Sequence, residues 1–338
     1  MIIRARAPLR ISFGGGGTDV EPFPTRKGGC VLNSTIDKYV YTTVSPRPDG
    51  KLVVNSLDMG VFEEVKDFVY GSKIDLVKAV LKNFSVSGGA EVSINSEAPP
   101  GSGLGGSSTV VVSLIGALQK WLARPRDNYQ IAKLAYKIER EELGIKGGYQ
   151  DQVAAAFGGF NFVEFNSGGK FIVTPLRLDE DVVDEMQASL LLCNIGRTRS
   201  SSEVIEKQVK SFEAGINEKY LEKMKKFCYQ MKDALLTGNL EEFVFLIDES
   251  WQEKRKLAEG ITNPEIDALY TTARMSGAKA GKVTGAGGGG HMLFYCEHFK
   301  KPEVMRALLK RALELNINLQ VVPFSFDNHG LKTWRVNI

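Results

Sequence analysis

Pro99-Pro-Gly-Ser-Gly-Leu-Gly-Gly-Ser-Ser-Thr109 runs directly into Val110–Leu118, an apolar stretch compatible with a helix. A glycine-rich turn that opens a helix is built to hold phosphate. The helix start offers unpaired backbone N–H groups and a partial positive charge. Glycine lets that backbone approach an anion closely, because no Cβ intervenes. Pro100, Gly101, Ser102, Gly103, Leu104, Gly105 and Gly106 form the turn, and Ser107 and Ser108 add hydroxyls where a metal-bound triphosphate would lie.

Other phosphate loops fit less well. Gly101, Gly103 and Gly106 satisfy G-x-G-x-x-G. A dinucleotide site, however, needs a second strand after the helix with an acid about 20 positions on. Here the helix leads through Ala123-Arg-Pro-Arg-Asp127 into another helical stretch. A P-loop needs Gly-Lys-Ser/Thr at the end of the turn, and no lysine stands there. The His-Arg-Asp and Asp-Phe-Gly signatures of protein kinases are also absent.

The 338 residues suffice for two domains, and 43% hydrophobic with 25% charged residues is ordinary for a globular protein. A net charge of +3 argues against nucleic acid as a partner but suits small anionic ligands. Cys30, Cys193, Cys228 and Cys296 are far apart and form no Cys-x-x-Cys. A reduced, cytoplasmic setting is expected, with no zinc site and no disulfide framework. No signal-like region opens the chain and no apolar run reaches 18 residues, so no membrane association is expected. With only three histidines, histidine catalysis is not expected.

Alternation predicts strands at 2–7, 31–45, 52–55, 90–95, 160–165 and 171–176, with helices at 75–84, 128–143 and 148–156. The acidic stretch Asp179–Glu185 is the expected boundary between domains 1–185 and 186–338. Beyond it, strands are expected at 188–194, 278–284, 291–296 and 318–326. Helices are expected at 201–213, 217–236, 240–258, 264–276 and 302–315. Strands and helices are mixed rather than strictly alternating, so the class is α+β.

Four further segments carry polar chemistry. Arg10-Ile-Ser-Phe-Gly-Gly-Gly-Gly-Thr-Asp19 places four glycines before an acid that can accept hydrogen bonds from sugar hydroxyls; a flexible turn is its bland reading. Thr284-Gly-Ala-Gly-Gly-Gly-Gly-His291 joins two strands and has more small residues than a hairpin needs. Asp151 opens a helix after Lys146-Gly-Gly-Tyr-Gln150, where an N-cap and a functional role are equally open. Arg197-Thr-Arg-Ser-Ser-Ser-Glu203 sets two arginines at a helix start, which suits a second phosphate but also a capping box.

In order, Ala7-Pro-Leu-Arg-Ile-Ser-Phe-Gly14 with Thr18-Asp19, then Pro99–Ser108, then Ala278–Gly290 resemble the three motifs of the GHMP kinase superfamily. The resemblance is greatest to its D-glycero-D-manno-heptose 7-phosphate kinases, through Gly14–Asp19, Lys137–Gln152 and Arg199–Glu203. It implies a two-domain fold, ribosomal protein S5 domain 2-like at the N-terminus and ferredoxin-like at the C-terminus. It implies ATP and Mg²⁺ as cofactors, with the phosphates on the loop 100–108. Asp151 and Arg10 would be catalytic. Ser107 and Glu139 would hold the metal, with Glu142 left as a rival by a one-residue difference in loop length. Gly16, Gly17, Thr18, Asp19, Gly287 and Gly288 would face the sugar, and Arg197 and Arg199, or Lys146, its phosphate. Gly16 and Gly17 stand where galactokinases carry Glu and His, which weakens a free-galactose reading. The alternatives are kinases of an unphosphorylated sugar or of mevalonate, and a non-catalytic nucleotide binder. Sequence does not set the oligomeric state; a homodimer is one option.

Overall fold

The computed structural model describes residues 1–196 and 201–337. The first half contains β1 (Ile2–Gly14), α1 (Phe23–Lys27), β2 (Gly29–Pro46), β3 (Leu52–Ser56), β4 (Val61–Glu64), α2 (Asp75–Asn83), β5 (Ala90–Ser96) and α3 (Gly106–Trp121). Then come α4 (Asn128–Tyr136), a π-helical turn Lys137–Glu142, α5 (Gln150–Phe157), β6 (Phe160–Asn166) and β7 (Lys170–Pro175). The second half runs α6 (Glu180–Ser189), β8 (Leu190–Asn194), α7 (Ser201–Glu213), α8 (Glu218–Leu236), α9 (Leu240–Lys254) and α10 (Pro264–Met275). It closes with β9 (Ala278–Val283), β10 (His291–Cys296), α11 (Lys301–Glu314), β11 (Gln320–Val321) and β12 (Lys332–Val336).

The larger sheet is organised by β2. One edge of β2 pairs with β1 along most of its length; on the other edge residues 29–34 pair with β6 and residues 40–46 with β5. β3 joins β5 in parallel and β4 closes that edge. The start of β1 alternates in burial, whereas Ala7–Gly14 is buried throughout. Helices α3, α5, α8 and α9 all pack on it, so this half of the strand has no solvent face. The smaller sheet, β11-β8-β10-β9, is antiparallel throughout.

The expected strand at 318–326 is a two-residue pair, β11. Pro323 follows and cannot donate to a ladder. The chain then turns away, bridges Ile36 through Phe326, and returns as β12 along β1. That return was not legible: Lys332-Thr-Trp-Arg-Val336 is short, mostly polar and lies at an edge. The acidic stretch 179–185 begins α6, capped by the Asp179 side chain on the N–H of Asp181. A division at 185/186 stands as our proposal, with the C-terminal strand tied back onto the N-terminal sheet. The continuous helix expected over 128–143 ends as a π-helical turn, whose extra residue rotates the side chains that follow it.

Candidate active site

The loop 99–105 and the loop 284–290 meet backbone to backbone. Gly103, Gly285 and Gly290 all have positive φ. A Cβ on Gly103 would lie 2.8 Å from the Thr284 carbonyl oxygen, one on Gly285 2.8 Å from that of Gly103, and one on Gly290 2.4 Å from that of Ser102. No side chain fits there, which is the physical reason for glycine in both loops. The buried His291 ring spans the same junction, its Nδ1 2.7 Å from the Ser102 carbonyl oxygen. Burial lowers the pKa of this imidazole. A neutral ring donating through Nδ1–H suits that contact, so His291 is a brace rather than a base.

The phosphate loop delivers α3 with an open N-terminus. Gly105 at the N-cap is left-handed and supplies no capping side chain. Among the described residues, a Cβ on Gly106 would meet nothing within 4 Å. The start of α3 thus has no side-chain cap and lines the cavity through Gly105, Gly106 and Ser107, an arrangement suited to an anion. A cavity of about 340 Å³ opens over this point.

Arg10 crosses the cavity floor with its side chain almost wholly buried. Its Nε donates to Asp151 Oδ1 at 2.8 Å, its Nη2 lies 2.6 Å from the same oxygen, and its Nη1 donates to the Gly103 carbonyl at 2.7 Å. One guanidinium thus ties the carboxylate to the phosphate loop through a planar fork that lysine lacks. Asp151 is the second residue of α5 and makes no capping bond, which removes the N-cap reading. Its side chain is 23% exposed. Among the described residues Oδ2 takes no hydrogen bond, so it is available to an incoming hydroxyl.

Asp19 stands beside this pair. Its oxygens accept from the N–H groups of Gly17 at 3.0 Å and Gln150 at 3.2 Å, binding the glycine run to the start of α5. Burial pushes its pKa up, and the nearby Asp151 charge adds to this, against the lowering by those N–H groups. Asp19 reaches the cavity, but its first task is to shape the loop.

The Ser107 hydroxyl donates to Glu139 Oε1 at 3.4 Å. Glu139 is fully buried, and Gln152 Nε2 donates to its other oxygen at 2.5 Å. Glu142 is turned away toward α2, bound by Tyr70, Asn83 and Lys82. The π-helical turn explains why spacing alone left the two acids as rivals. A hydroxyl and a carboxylate beside an anion site are oxygen donors of the kind Mg²⁺ takes together with phosphate oxygens, so these residues fit the metal.

Several expected positions lie elsewhere. Leu104 is core and Ser108 is on the buried face of α3, and neither lines the cavity. Thr18 is fully buried with its hydroxyl 2.8 and 2.7 Å from the carbonyls of Gly15 and Cys30, and it accepts from the Cys30 N–H at 3.0 Å. It staples the glycine turn rather than touching a ligand. Gly287 and Gly288 pack on Ile261, the Gly288 N–H donating to its carbonyl at 2.8 Å. The third loop meets the cavity through Gly285 and Ala286 instead. Arg197 and Arg199 lie outside the described residues, whereas Lys146 lines the cavity with Arg140, Ser201 and Ser202.

Sequence reasoning missed Lys254, Gln150, Gln208 and the apolar end formed by Ile74, Val77, Ile94, Ala98 and Val110, all of which line the cavity. Lys254 left one trace. Phe243, Ile247 and Trp251 are buried on α9 at helical spacing, and Lys254 continues that buried stripe. A lysine is rarely buried without a partner.

Comparison with known proteins shows the family. The model of the GHMP kinases N terminal domain matches residues 69–159, and that of the GHMP kinases C terminal matches residues 231–315. A D-glycero-alpha-D-manno-heptose 7-phosphate kinase from Campylobacter jejuni is 39% identical, covering 99% of this chain and 99% of that protein. A structure described as a D-glycero-D-manno-heptose 1-phosphate kinase from Bacteroides thetaiotaomicron superposes with a TM-score of 0.80 at 33% identity, covering 99% of this chain and 100% of that one. Galactokinase from Lactococcus lactis, at 20% identity, TM-score 0.78 and coverage of 98% and 95%, shares the fold. Three glycine loops around one Arg–Asp pair, both family domains and full-length identity lead to one conclusion: the chain belongs to the GHMP kinases.

Proposed function

We propose that this protein transfers the γ-phosphoryl group of ATP to the anomeric C1 hydroxyl of D-glycero-D-manno-heptose 7-phosphate. The observation that carries the reading is Asp151, held through Oδ1 by Arg10 with Oδ2 free, beside the open N-terminus of α3. Oδ2 accepts the proton of the acceptor hydroxyl as its oxygen attacks phosphorus in line and ADP leaves. Asp151 sets the direction of attack. Arg10 offsets the negative charge gathered between carboxylate, hydroxyl and phosphate. Such transfer depends on positioning and electrostatics more than on covalent chemistry. The backbone of Gly101–Gly106 holds the phosphates, and the apolar end of the cavity takes the base. Ser107 and Glu139 would hold Mg²⁺, which neutralises charge on the phosphate oxygens.

This assignment predicts different metal responses for the two acids. Glu139→Gln is expected to raise the Mg²⁺ concentration for half-maximal rate by about 10–100-fold, the loss seen when even a supporting partner of a metal ligand is removed. Glu142→Gln should leave that concentration at its wild-type value. A Mg²⁺ titration of ADP release compares them; equal curves for Glu139→Gln and wild type would reject Glu139 as a ligand.

The acceptor's phosphate calls for cations, and we assign it to Arg197 and Arg199, with Lys146 as the alternative. The two heptose-kinase relatives differ in the phosphate position their names give, so position is part of the test. ADP release is measured with Mg-ATP against the heptose 7-phosphate, the corresponding 1-phosphate, galactose, fucose and mevalonate. Turnover confined to the 7-phosphate is expected. Turnover only with an unphosphorylated sugar would keep the kinase and remove the phosphate subsite.

A further inference from the structure

Three polar groups converge on one point beside the Arg10–Asp151 pair. Lys254 Nζ, Gln150 Nε2 and Ser12 Oγ each lie 3.6 Å from the place where a Cβ on Gly16 would sit. They come from α9, α5 and β1, and all three residues are at least nine-tenths buried. Lys254, Gln150 and Gly16 line the cavity that Asp151 faces. Among the described residues, Lys254 donates to the Gly285 carbonyl alone. Among the described residues, Ser12 Oγ and Gln150 Oε1 also have no hydrogen-bond partner.

Burying an ammonium with one acceptor, beside two unpartnered polar atoms, is costly unless something else completes them. Together these groups offer donors from the ammonium and the amide, an acceptor from the amide carbonyl, and a hydroxyl that does both. That set matches hydroxyl groups of a polyol. It matches a phosphate less well, because the carboxylates of Asp19 and Asp151 act on the same lysine.

We propose that Lys254 and Gln150, backed by Ser12 beneath them, form a cradle over Gly16 that grips non-reacting hydroxyls of the acceptor sugar and so sets its orientation toward Asp151. This deepens the kinase reading above and rests on it. Lys254 is a binding and positioning residue here, and glycine at 16 is the feature that leaves the space free. A methyl group there would make only ordinary contacts with the three groups, and no positive φ opposes alanine at this position. It would nonetheless occupy the cradle.

Burial brings the Lys254 ammonium down to about 8; Arg10 adds to the lowering, while Asp19 and Asp151 oppose it. Lys282 on β9, bound to the carbonyls of Ser12 and Phe13, is a further amine close to Lys254, and burial, with the Lys254 and Arg10 charges, holds its pKa well below the usual lysine value. The ammonium is therefore present below pH 8 and lost above it. Acceptor kcat/KM should fall as pH rises through that value.

The test is steady-state ADP release with D-glycero-D-manno-heptose 7-phosphate for wild type, Lys254→Met and Gly16→Ala, with thermal melts of each. Both variants are expected to raise the acceptor KM by about 10–100-fold, as for loss of a charged hydrogen bond. KM for ATP should stay put, and the fall above pH 8 should vanish in Lys254→Met. If Lys254 only pins the Gly285 carbonyl, its loss will raise KM for ATP as well and Gly16→Ala will be silent, which overturns the proposal. Should Lys254→Met fail to fold, Gly16→Ala decides alone. A wild-type enzyme that turns over no sugar would remove the kinase reading and this inference with it. Wild-type turnover with unaltered variants would remove the inference only.

Discussion

Replacing Asp151 with asparagine is expected to lower kcat by about 10²–10⁴-fold, the contribution of a positioned general base, with KM for ATP unchanged. The split follows from geometry. The nucleotide is held by the glycine loop and the start of α3, whereas Asp151 meets the cavity through a carboxylate that Arg10 holds at one oxygen. Asparagine keeps the size and can keep an oxygen toward Arg10 Nε. It loses the capacity to take a proton and leaves the buried guanidinium without its countercharge. The partial exposure of Asp151 lets water screen that loss, so the variant should fold. Single-turnover rates and ATP binding measured on the same preparation separate chemistry from binding. Wild-type turnover by Asp151→Asn would remove this residue from the role of base.

Much of this site was legible before any coordinates, for a definable reason. Anion-binding loops need glycine at positions fixed by backbone approach, and that requirement is local in sequence. The runs at 14–17, 101–106 and 285–290 could therefore be read directly. The Arg10–Asp151 pair spans 141 positions, and only its resemblance to known motifs brought its members together. What stayed hidden depends on long-range packing. Thr18 was expected to face the sugar because the resemblance places it in the first motif, yet its hydroxyl is engaged by the backbone of residues 15 and 30. Gly287 and Gly288 were expected to face the sugar, but the turn directs them to Ile261. Glu139 and Glu142 were distinguished by a π-helical turn that period counting does not detect. The return of β12 to the first sheet follows from the path of the whole chain.

A second large effect is expected where the two glycine loops touch. Gly290→Ala should destabilise the protein by about 1–3 kcal/mol through its left-handed backbone alone, before any clash is counted. The clash is severe. Its φ is +80°, and the new Cβ would lie 2.4 Å from the Ser102 carbonyl oxygen and 2.7 Å from the Ser102 carbonyl carbon. These are backbone atoms and cannot rotate aside. The loops must part, which breaks the His291 contact to Ser102 and displaces the turn that presents α3. A lower melting temperature and a raised KM for ATP should appear together. Gly106→Ala is the informative contrast. Its Cβ meets nothing within 4 Å among the described residues, and no positive φ opposes it. Folded stability should hold or rise by about 0.4–1 kcal/mol, because alanine restricts the unfolded chain. Its methyl group projects into the space assigned to phosphate, so KM for ATP should rise without any loss in melting temperature. One substitution thus weakens nucleotide binding through the fold and the other by occupying the site. Melting curves and ATP titrations on both variants tell the two apart. A Gly290→Ala protein that melts and binds ATP like wild type would mean that loop-on-loop packing does not hold the phosphate site in place.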